Sequence, residues 1–163
     1  MTHASATSSW SRDLGFGLLA IFAVSATLVV GQFATYPNLA PWYTDLVKPS
    51  FNPPIWAFAP VWTTLYLLMA FAVWRILRLP GASAERRWAL SLFFAQLVLN
   101  AAWSWMFFAA RNPLLGVPQI LVIIATIVAF YRIDRMAGWC LMPLAAWVCF
   151  ATVLNFAIWK LNS

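Results

Sequence analysis

The chain is poor in charge. Only 9% of its 163 residues are Asp, Glu, Lys or Arg, whereas 64% are hydrophobic. A soluble domain carries about a quarter charged residues, so this composition excludes a soluble globular protein and indicates that the bilayer is the solvent. The net charge of +6 does not indicate nucleic-acid binding, because the basic residues lie at the ends of apolar runs, where lipid headgroups would meet them.

Ionisable side chains are absent from the middle of every apolar run. The single histidine is His3, in the polar leader, and the four acids lie in loops or at the ends of runs: Asp13, Asp45, Glu85 and Asp134. Proton-coupled transport and general acid–base catalysis inside a bilayer need such groups, so both are excluded, as is haem ligation by an internal histidine. We expect no cofactor.

Cysteine is also scarce, with only Cys140 and Cys149 present. Nine residues apart on one helical run, the two point to different faces and cannot pair with each other. Their spacing is not that of a metal site, so we expect no metal and interpret both as small packing residues.

Five apolar runs approach the length of about 20 helical residues that a bilayer core of about 30 Å requires. The fold class we predict is therefore all-α, an integral membrane bundle of five transmembrane helices in a single domain over 14–160. The first run is longer than the usual 7–15-residue signal-peptide core, so we expect a retained helix. Residues 1–13 are predicted to be a disordered leader. The predicted helices cover about 14–34, 54–77, 88–109, 114–131 and 139–159.

Basic residues are distributed unevenly between the two sides of the predicted bundle. Lys48, Arg111 and Lys160 fall on the side opposite the N-terminus. In an inner membrane this asymmetry favours a cytoplasmic N-terminus. Whether a bacterial cell membrane or an outer membrane holds the protein stays open. The N-terminal side holds Arg12, Arg75, Arg78, Arg86, Arg87, Arg132 and Arg135.

The third predicted helix carries a mixed polar and aromatic stripe. Gln96, Asn100, Trp103 and Phe107 follow one another at i, i+4, i+7 and i+11, so they share one helix face. Amides in a lipid-spanning segment are costly unless the protein satisfies them. The stripe predicts an internal pocket for a flat, mostly apolar ligand, although Asn100 also suits a hydrogen bond between helices.

The first loop, residues 36–53, is longer than most connections and contains Trp42, Tyr43, Phe51 and several prolines. Loops of more than about 12–15 residues are usually functional or disordered, and these aromatics favour docking. Two interpretations stay open: a lid over a pocket in the bundle, or an aromatic anchor at the headgroups.

Several long stretches in the right order resemble the translocator protein family, also known as the tryptophan-rich sensory protein or peripheral benzodiazepine receptor family, and in particular its bacterial members. The resemblance covers 42–162. The stretches are WYTDLVKPSFNPP, WAFAPVWTTLYLLM, QLVLNAAWSWMFFAAR and MPLAAWVCFATVLNFAIWKLN.

The resemblance implies a five-helix bundle, often a homodimer, with a ligand cavity that the first loop closes. It implies porphyrins such as protoporphyrin IX, sterols and other membrane lipids, and isoquinoline or benzodiazepine drugs as ligands. A sensory or regulatory ligand-binding protein is the function we favour. A light- or oxidant-dependent porphyrin-degrading enzyme and a tetrapyrrole or sterol transporter are the alternatives.

The resemblance also assigns site residues. It places the family's porphyrin-linked pair of tryptophans on Trp62 and Trp147. These two indoles would have a redox role if the protein is an enzyme. It also places the tyrosine of the lid on Tyr43. The third-helix motif falls on Asn100 and Trp103. The remaining pocket residues follow from the fifth-helix motif or from the helix face of Trp62: Ala151, Leu154, Asn155 and Phe58.

One departure concerns sterols. The animal cholesterol motif has a tyrosine in its third position, followed by a basic residue. In this chain the corresponding residues are Leu154, Asn155 and Phe156, with Lys160 as the basic residue, so Phe156 replaces the tyrosine. The formal motif therefore fails, and specialised cholesterol binding is not expected.

The carboxylates of a porphyrin would need cations at the level of the headgroups. Lys48 and Arg111 lie on the side of the first loop. We hypothesise that one or both bind these carboxylates.

Overall fold

The computed structural model describes residues 3–81, 83–111 and 117–162, with side chains described from Trp10 onward and not at positions 117 and 118. No strand occurs among these residues, and the all-α class is confirmed. The five helices are α1 (His3–Thr35), α2 (Ile55–Leu77), α3 (Ala84–Ser104), α4 (Val117–Ile133) and α5 (Arg135–Leu161).

The helices have the length and apolar character of membrane spans. Four of them, α1, α2, α3 and α5, are each long and hydrophobic enough to cross a bilayer. The described part of α4 has 17 residues, which corresponds to about 25 Å of helix. Residues 114–116 of the predicted fourth span lie outside the described part of the chain. The prediction of an integral membrane helical bundle is confirmed.

The five helices form a closed ring in the order α1, α2, α5, α4, α3. Each helix packs mainly against two neighbours, and α3 returns to α1 to close the ring, while α2 and α3 touch only slightly. Helices that are neighbours in sequence are therefore not always neighbours in space. A ring of this kind encloses a central space to which every helix can contribute side chains.

Several helix boundaries differ from the expected ones. α1 begins at His3, within the segment expected to be a disordered leader, because residues 3–14 contain neither proline nor glycine to interrupt the helix. α3 begins four residues earlier than expected, at Ala84, because Ser83 caps it by accepting a hydrogen bond from the Arg86 N–H.

Both helix ends next to the first loop are irregular. After α1 the chain continues through a 3-10 turn, Tyr36–Asn38, and a π-type turn, Leu39–Tyr43, with Ala40 in an extended conformation (φ −124°, ψ 139°). α3 likewise continues into a π-type turn, Trp105–Ala109. Such turns change the direction of side chains and often occur at functional sites.

The tightly packed core fills one half of the bundle. Phe93 of α3 stacks on Phe130 of α4, with ring centroids 5.6 Å apart and planes 20° apart. Met69, Ile76 and Leu141 are fully buried around this pair. These residues come from the helix halves nearest the arginine-rich turns, which are the connections between α2 and α3 and between α4 and α5. The other half of the ring is less filled.

The arginine-rich end is held by polar contacts between elements. Arg75 of α2 forms a salt bridge with Asp134, with Nη2 2.7 Å from Oδ2. Arg86 donates hydrogen bonds to the carbonyls of Leu77, Leu79 and Gly81, which satisfy the C-terminal end of α2.

Asp134 also caps α5. Its Oδ1 accepts hydrogen bonds from the backbone N–H groups of Met136 (2.9 Å) and Ala137 (3.2 Å). Burial raises the pKa of the Asp134 carboxyl, but the Arg75 hydrogen bond and charge and the two backbone N–H groups outweigh burial, so its pKa is lowered. The carboxylate is thus the favoured form in the folded bundle.

Candidate ligand-binding site

A cavity of about 540 Å³ occupies the less filled half of the ring, towards the first loop. It is referred to below as the main cavity. All five helices contribute to its wall, with Gln119 as the contribution of α4. Small-molecule sites typically measure about 300–1,000 Å³, so the main cavity has the size of a binding site.

α2 supplies an aromatic wall. Phe58, Trp62 and Tyr66 follow one another at intervals of four residues and line the main cavity. The Trp62 and Tyr66 rings lie 5.5 Å apart. The sequence analysis did not identify Tyr66, although its four-residue spacing from Trp62 was a usable signal.

α5 packs beside α2 and carries Trp147, Ala151, Leu154 and Asn155 into the same cavity. Trp147 meets Trp62 edge to face, with ring centroids 6.4 Å apart and planes 83° apart. It meets Phe58 in the same way at 5.9 Å. The two indoles that the sequence analysis paired are therefore in contact.

α3 contributes three of the four residues of the predicted stripe. Asn100, Trp103 and Phe107 line the main cavity, and Trp103 stacks on Phe107 at 5.2 Å with 15° between the ring planes. Gln96 does not line it. This side chain is buried deeper, with Nε2 3.6 Å from the sulfur of Met69, so the structure places it in the core.

Two hydrogen bonds between polar side chains of the wall join different helices. The Tyr66 hydroxyl donates to Asn100 Oδ1 at 3.3 Å. When the Asn155 amide is oriented with its oxygen towards Trp103, it accepts a hydrogen bond from the indole N–H at 3.2 Å. Each amide thus ties two helices together while facing the cavity.

The Nδ2 of Asn100 is an exception. It is buried and has no partner among the residues that the structure describes. An unpaired buried donor costs about 1–3 kcal/mol. An acceptor atom on a ligand, or a water, would remove that cost.

The described lining of the main cavity contains no acidic or basic side chain. Any charged group of a ligand would lose its solvation there without gaining a counterion. The cavity therefore suits an apolar, aromatic body whose charged groups remain at the mouth.

The first loop packs against the end of α3. Tyr43 is only 8% exposed and lies with Trp42 against Phe107 and Phe108. The ring centroids of Tyr43 and Phe108 are 5.7 Å apart. The loop thus places Tyr43 in the wall of the main cavity.

A second contact fixes the loop to α5. The backbone N–H of Val47 donates to Asn162 Oδ1, and Asn162 Nδ2 donates to the Val47 carbonyl, both at 2.9 Å. These paired bonds join residues 115 positions apart in sequence. They hold the loop across the end of the ring.

α1 forms a part of the wall that sequence reasoning missed. Gly31 and Gln32 of α1 line the main cavity. A Cβ on Gly31 would lie 3.1 Å from the hydroxyl oxygen of Ser104 on α3, so the small residue allows a close approach of the two helices. Nothing in the α1 sequence set Gly31 apart from the other glycines of the run.

Comparisons with known proteins agree with this architecture. The TspO/MBR family model matches residues 18–160. The tryptophan-rich protein TspO of Chlorobaculum tepidum is 43% identical over 131 residues, covering 77% of this chain and 83% of the relative.

Similar relatives occur in animals and in other bacteria. The translocator protein of Homo sapiens is 35% identical over 158 residues, covering 94% of this chain and 91% of the relative. The tryptophan-rich sensory protein of Cereibacter sphaeroides is 37% identical over 125 residues, covering 74% and 77%. With its ring of apolar helices and the family model matched over most of its length, the chain is an integral membrane protein that belongs to the TspO/MBR family.

Proposed function

We propose that this protein binds tetrapyrroles, with protoporphyrin IX as the type ligand, in the main cavity, and acts as a membrane sensor of them. The observation that carries the proposal is the contact of Trp62 with Trp147 in the wall of a cavity without charged lining. A flat conjugated ring stacks on indoles and phenols, which adds about 0.5–1.5 kcal/mol per aromatic pair beyond area burial.

The polar groups of the wall suit the same ligand class. A porphyrin presents ring nitrogens that accept hydrogen bonds, and the unpaired Nδ2 of Asn100 is a donor on the wall. Other flat apolar molecules that carry an acceptor atom, including isoquinoline or benzodiazepine drugs, suit the same wall, and membrane lipids would fill the same space.

The position of the first loop supports a sensory role. Tyr43 contributes to both the cavity wall and the loop cluster on α3. A ligand that touches Tyr43 therefore changes the contacts that hold the loop. We propose that the loop acts as a lid whose position reports occupancy.

The test is a titration of intrinsic tryptophan fluorescence with protoporphyrin, in the dark, on the purified protein in nanodiscs. We expect saturable quenching, with affinity lowered about 3- to 10-fold in Trp62→Phe and Trp147→Phe, because each loses part of its stacking surface. Trp88→Phe is the matched control, since Trp88 is 65% exposed on α3 and lies outside the cavity. Equal effects of all three substitutions would contradict the proposal.

Light-dependent oxidative breakdown of the bound porphyrin is a second candidate. The edge contact between Trp62 and Trp147 favours it, because two adjacent indoles against one ligand can relay an electron without an acid or base. In that reaction molecular oxygen is the oxidant and the porphyrin is oxidised. Illumination of the bound complex, with product analysis, separates the two functions: catalysis requires that the Phe variants bind protoporphyrin and degrade it more slowly.

A further inference from the structure

A second, smaller cavity of about 280 Å³ lies beside the main one. It is referred to below as the side pocket. Tyr43, Ile55 and Phe58 line both cavities, so the two share a wall at the end of the bundle nearest the first loop. Polar side chains line the side pocket where it leaves this wall: Lys48 and Asn52.

Lys48 brings a positive charge into the side pocket. Its Nζ donates to the carbonyls of Thr44 (3.1 Å) and Leu46 (3.0 Å) and lies 4.8 Å from the centroid of the Tyr43 ring. These contacts hold the ammonium group in place. In the described part of the chain no carboxylate oxygen lies within 4.0 Å of it, so its charge is not neutralised by a salt bridge.

Asn52 adds an acceptor that has no donor. Its Nδ2 donates to the Pro53 carbonyl at 3.0 Å, whereas its Oδ1 is buried and unpaired in the described structure. A group that satisfies both residues must offer an acceptor to Lys48 and a donor to Asn52. A protonated carboxylic acid offers both the acceptor and the donor. A carboxylate offers the acceptor directly, and a water bound to it can donate to Asn52.

We propose that the side pocket binds a carboxyl group of a ligand whose ring system lies in the main cavity. The inference rests on the proposed function and deepens it, since it selects acidic tetrapyrroles over uncharged ones. The charge-free lining of the main cavity leaves a carboxylate without a counterion, and Lys48 supplies one next to the shared wall.

The structure also distinguishes Lys48 from the other cation near the first loop. Arg111 has a positive φ of 53°, and its guanidinium lies 5.7 Å from the centroid of the Trp42 ring. Arg111 lines neither cavity among the residues described. Of the two cations hypothesised from the sequence, only Lys48 is positioned to bind the carboxyl group.

The experiment compares protoporphyrin with its dimethyl ester, which has the same ring and no ionisable carboxyl. Dissociation constants are measured by fluorescence quenching in the dark for the full-length protein and for Lys48→Gln, Lys48→Arg and Arg111→Gln. We expect Lys48→Gln to weaken protoporphyrin about 5- to 10-fold and the ester less than about 2-fold, because only the acid loses a charge-assisted hydrogen bond. Lys48→Arg should restore most of the difference.

Each other outcome has a definite meaning. Equal weakening of both ligands by Lys48→Gln would overturn the inference and leave tetrapyrrole binding intact, because the loss would then come from the loop. A selective loss in Arg111→Gln instead of Lys48→Gln would also overturn it. If the unsubstituted protein binds neither ligand, the proposed function fails and this inference fails with it.

Discussion

At the scale of single residues, Asn100 combines two tasks. Its oxygen accepts a hydrogen bond from the Tyr66 hydroxyl and so joins α3 to α2, while its nitrogen is buried and has no partner in the described structure. An amide side chain provides an acceptor and a donor on two separate atoms. A carboxylate has no donor, and an alcohol has a single oxygen on a shorter side chain. We propose that the residue serves both the structure and ligand binding.

Replacement of Asn100 by leucine separates these tasks. We expect protoporphyrin affinity to fall about 5- to 10-fold, since the ligand loses the one side-chain donor that is buried and unpaired among the described residues. Tyr66→Phe is the control, because it removes the partner hydroxyl and leaves the amide. Dark quenching titrations of both variants measure the effect, and an unchanged affinity in Asn100→Leu would refute the ligand role.

Asp134 predicts how stability depends on pH. The pKa of the Asp134 carboxyl is lowered on folding. Its contribution to the free energy of unfolding is therefore fully present above the pKa that this carboxyl has in the unfolded chain, and it is lost as the pH falls through the pKa in the folded protein. We expect Asp134→Asn to lower Tm at pH 7, and we expect this difference in Tm to shrink as the pH falls through the folded pKa of Asp134. Differential scanning fluorimetry from pH 7 down to strongly acidic pH measures this; a difference in Tm that stays constant over that whole range would show that the carboxylate is not responsible.

Single residues also show what sequence alone can predict. Trp103 was identifiable from its helical spacing relative to Asn100, and Trp62 and Trp147 were identifiable from the family resemblance. Gln96 lies on the same helix face as Trp103, yet its side chain is in the core. Tyr66, which was missed, lines the main cavity. Spacing predicts which residues share a face, but the depth at which close packing ends is decided by the neighbouring helices.

At the scale of elements, the connection between α4 and α5 is the tightest in the described chain. A single residue, Asp134, separates the two helices. Gly138 makes this possible, since a Cβ there would lie 2.7 Å from the Cα and Cβ of Tyr131. The backbones of α4 and α5 touch at this point.

Gly138→Ala should therefore separate the two helices. We expect it to destabilise the protein by about 1–3 kcal/mol, which lowers Tm by several degrees. Gly15→Ala is the matched control, because a Cβ at Gly15 meets no atom within 4 Å, and it should leave Tm unchanged or slightly raised. Similar losses in the two variants would mean that the close contact with Tyr131 does not determine the effect.

The existence of the helices was predictable from hydropathy, whereas their ends were not. The C-terminal end of α2 depends on Arg86, nine residues beyond Leu77, whose carbonyl it binds. The sequence analysis counted Arg86 only as a charge on one side of the membrane. The irregular turns after α1 and α3 were also unpredicted, because they depend on how the first loop docks on Phe107 and Phe108.

At the scale of the whole molecule, the ring divides into two halves with different character. The half near the arginine-rich turns is closely packed, and the half near the first loop encloses the main cavity. Homodimer formation, implied by the resemblance, stays a prediction.

The uneven distribution of basic residues predicts the orientation in a bacterial inner membrane. We expect the arginine-rich end to be cytoplasmic. In a protein with both cysteines replaced by alanine, a membrane-impermeant maleimide added to intact spheroplasts should label Asp45→Cys and leave Glu85→Cys unlabelled. Both should react after permeabilisation, and the reverse pattern in intact spheroplasts would mean that the charge asymmetry does not set the topology.

The hydrogen-bonded pair of Val47 and Asn162 has a consequence for biogenesis. During translation, the segment that closes the chamber emerges 115 residues ahead of the amide that fastens it. The ring itself also stays incomplete until α5 has been inserted between α2 and α4. We therefore expect the chamber to be complete only after the final helix has left the translocon.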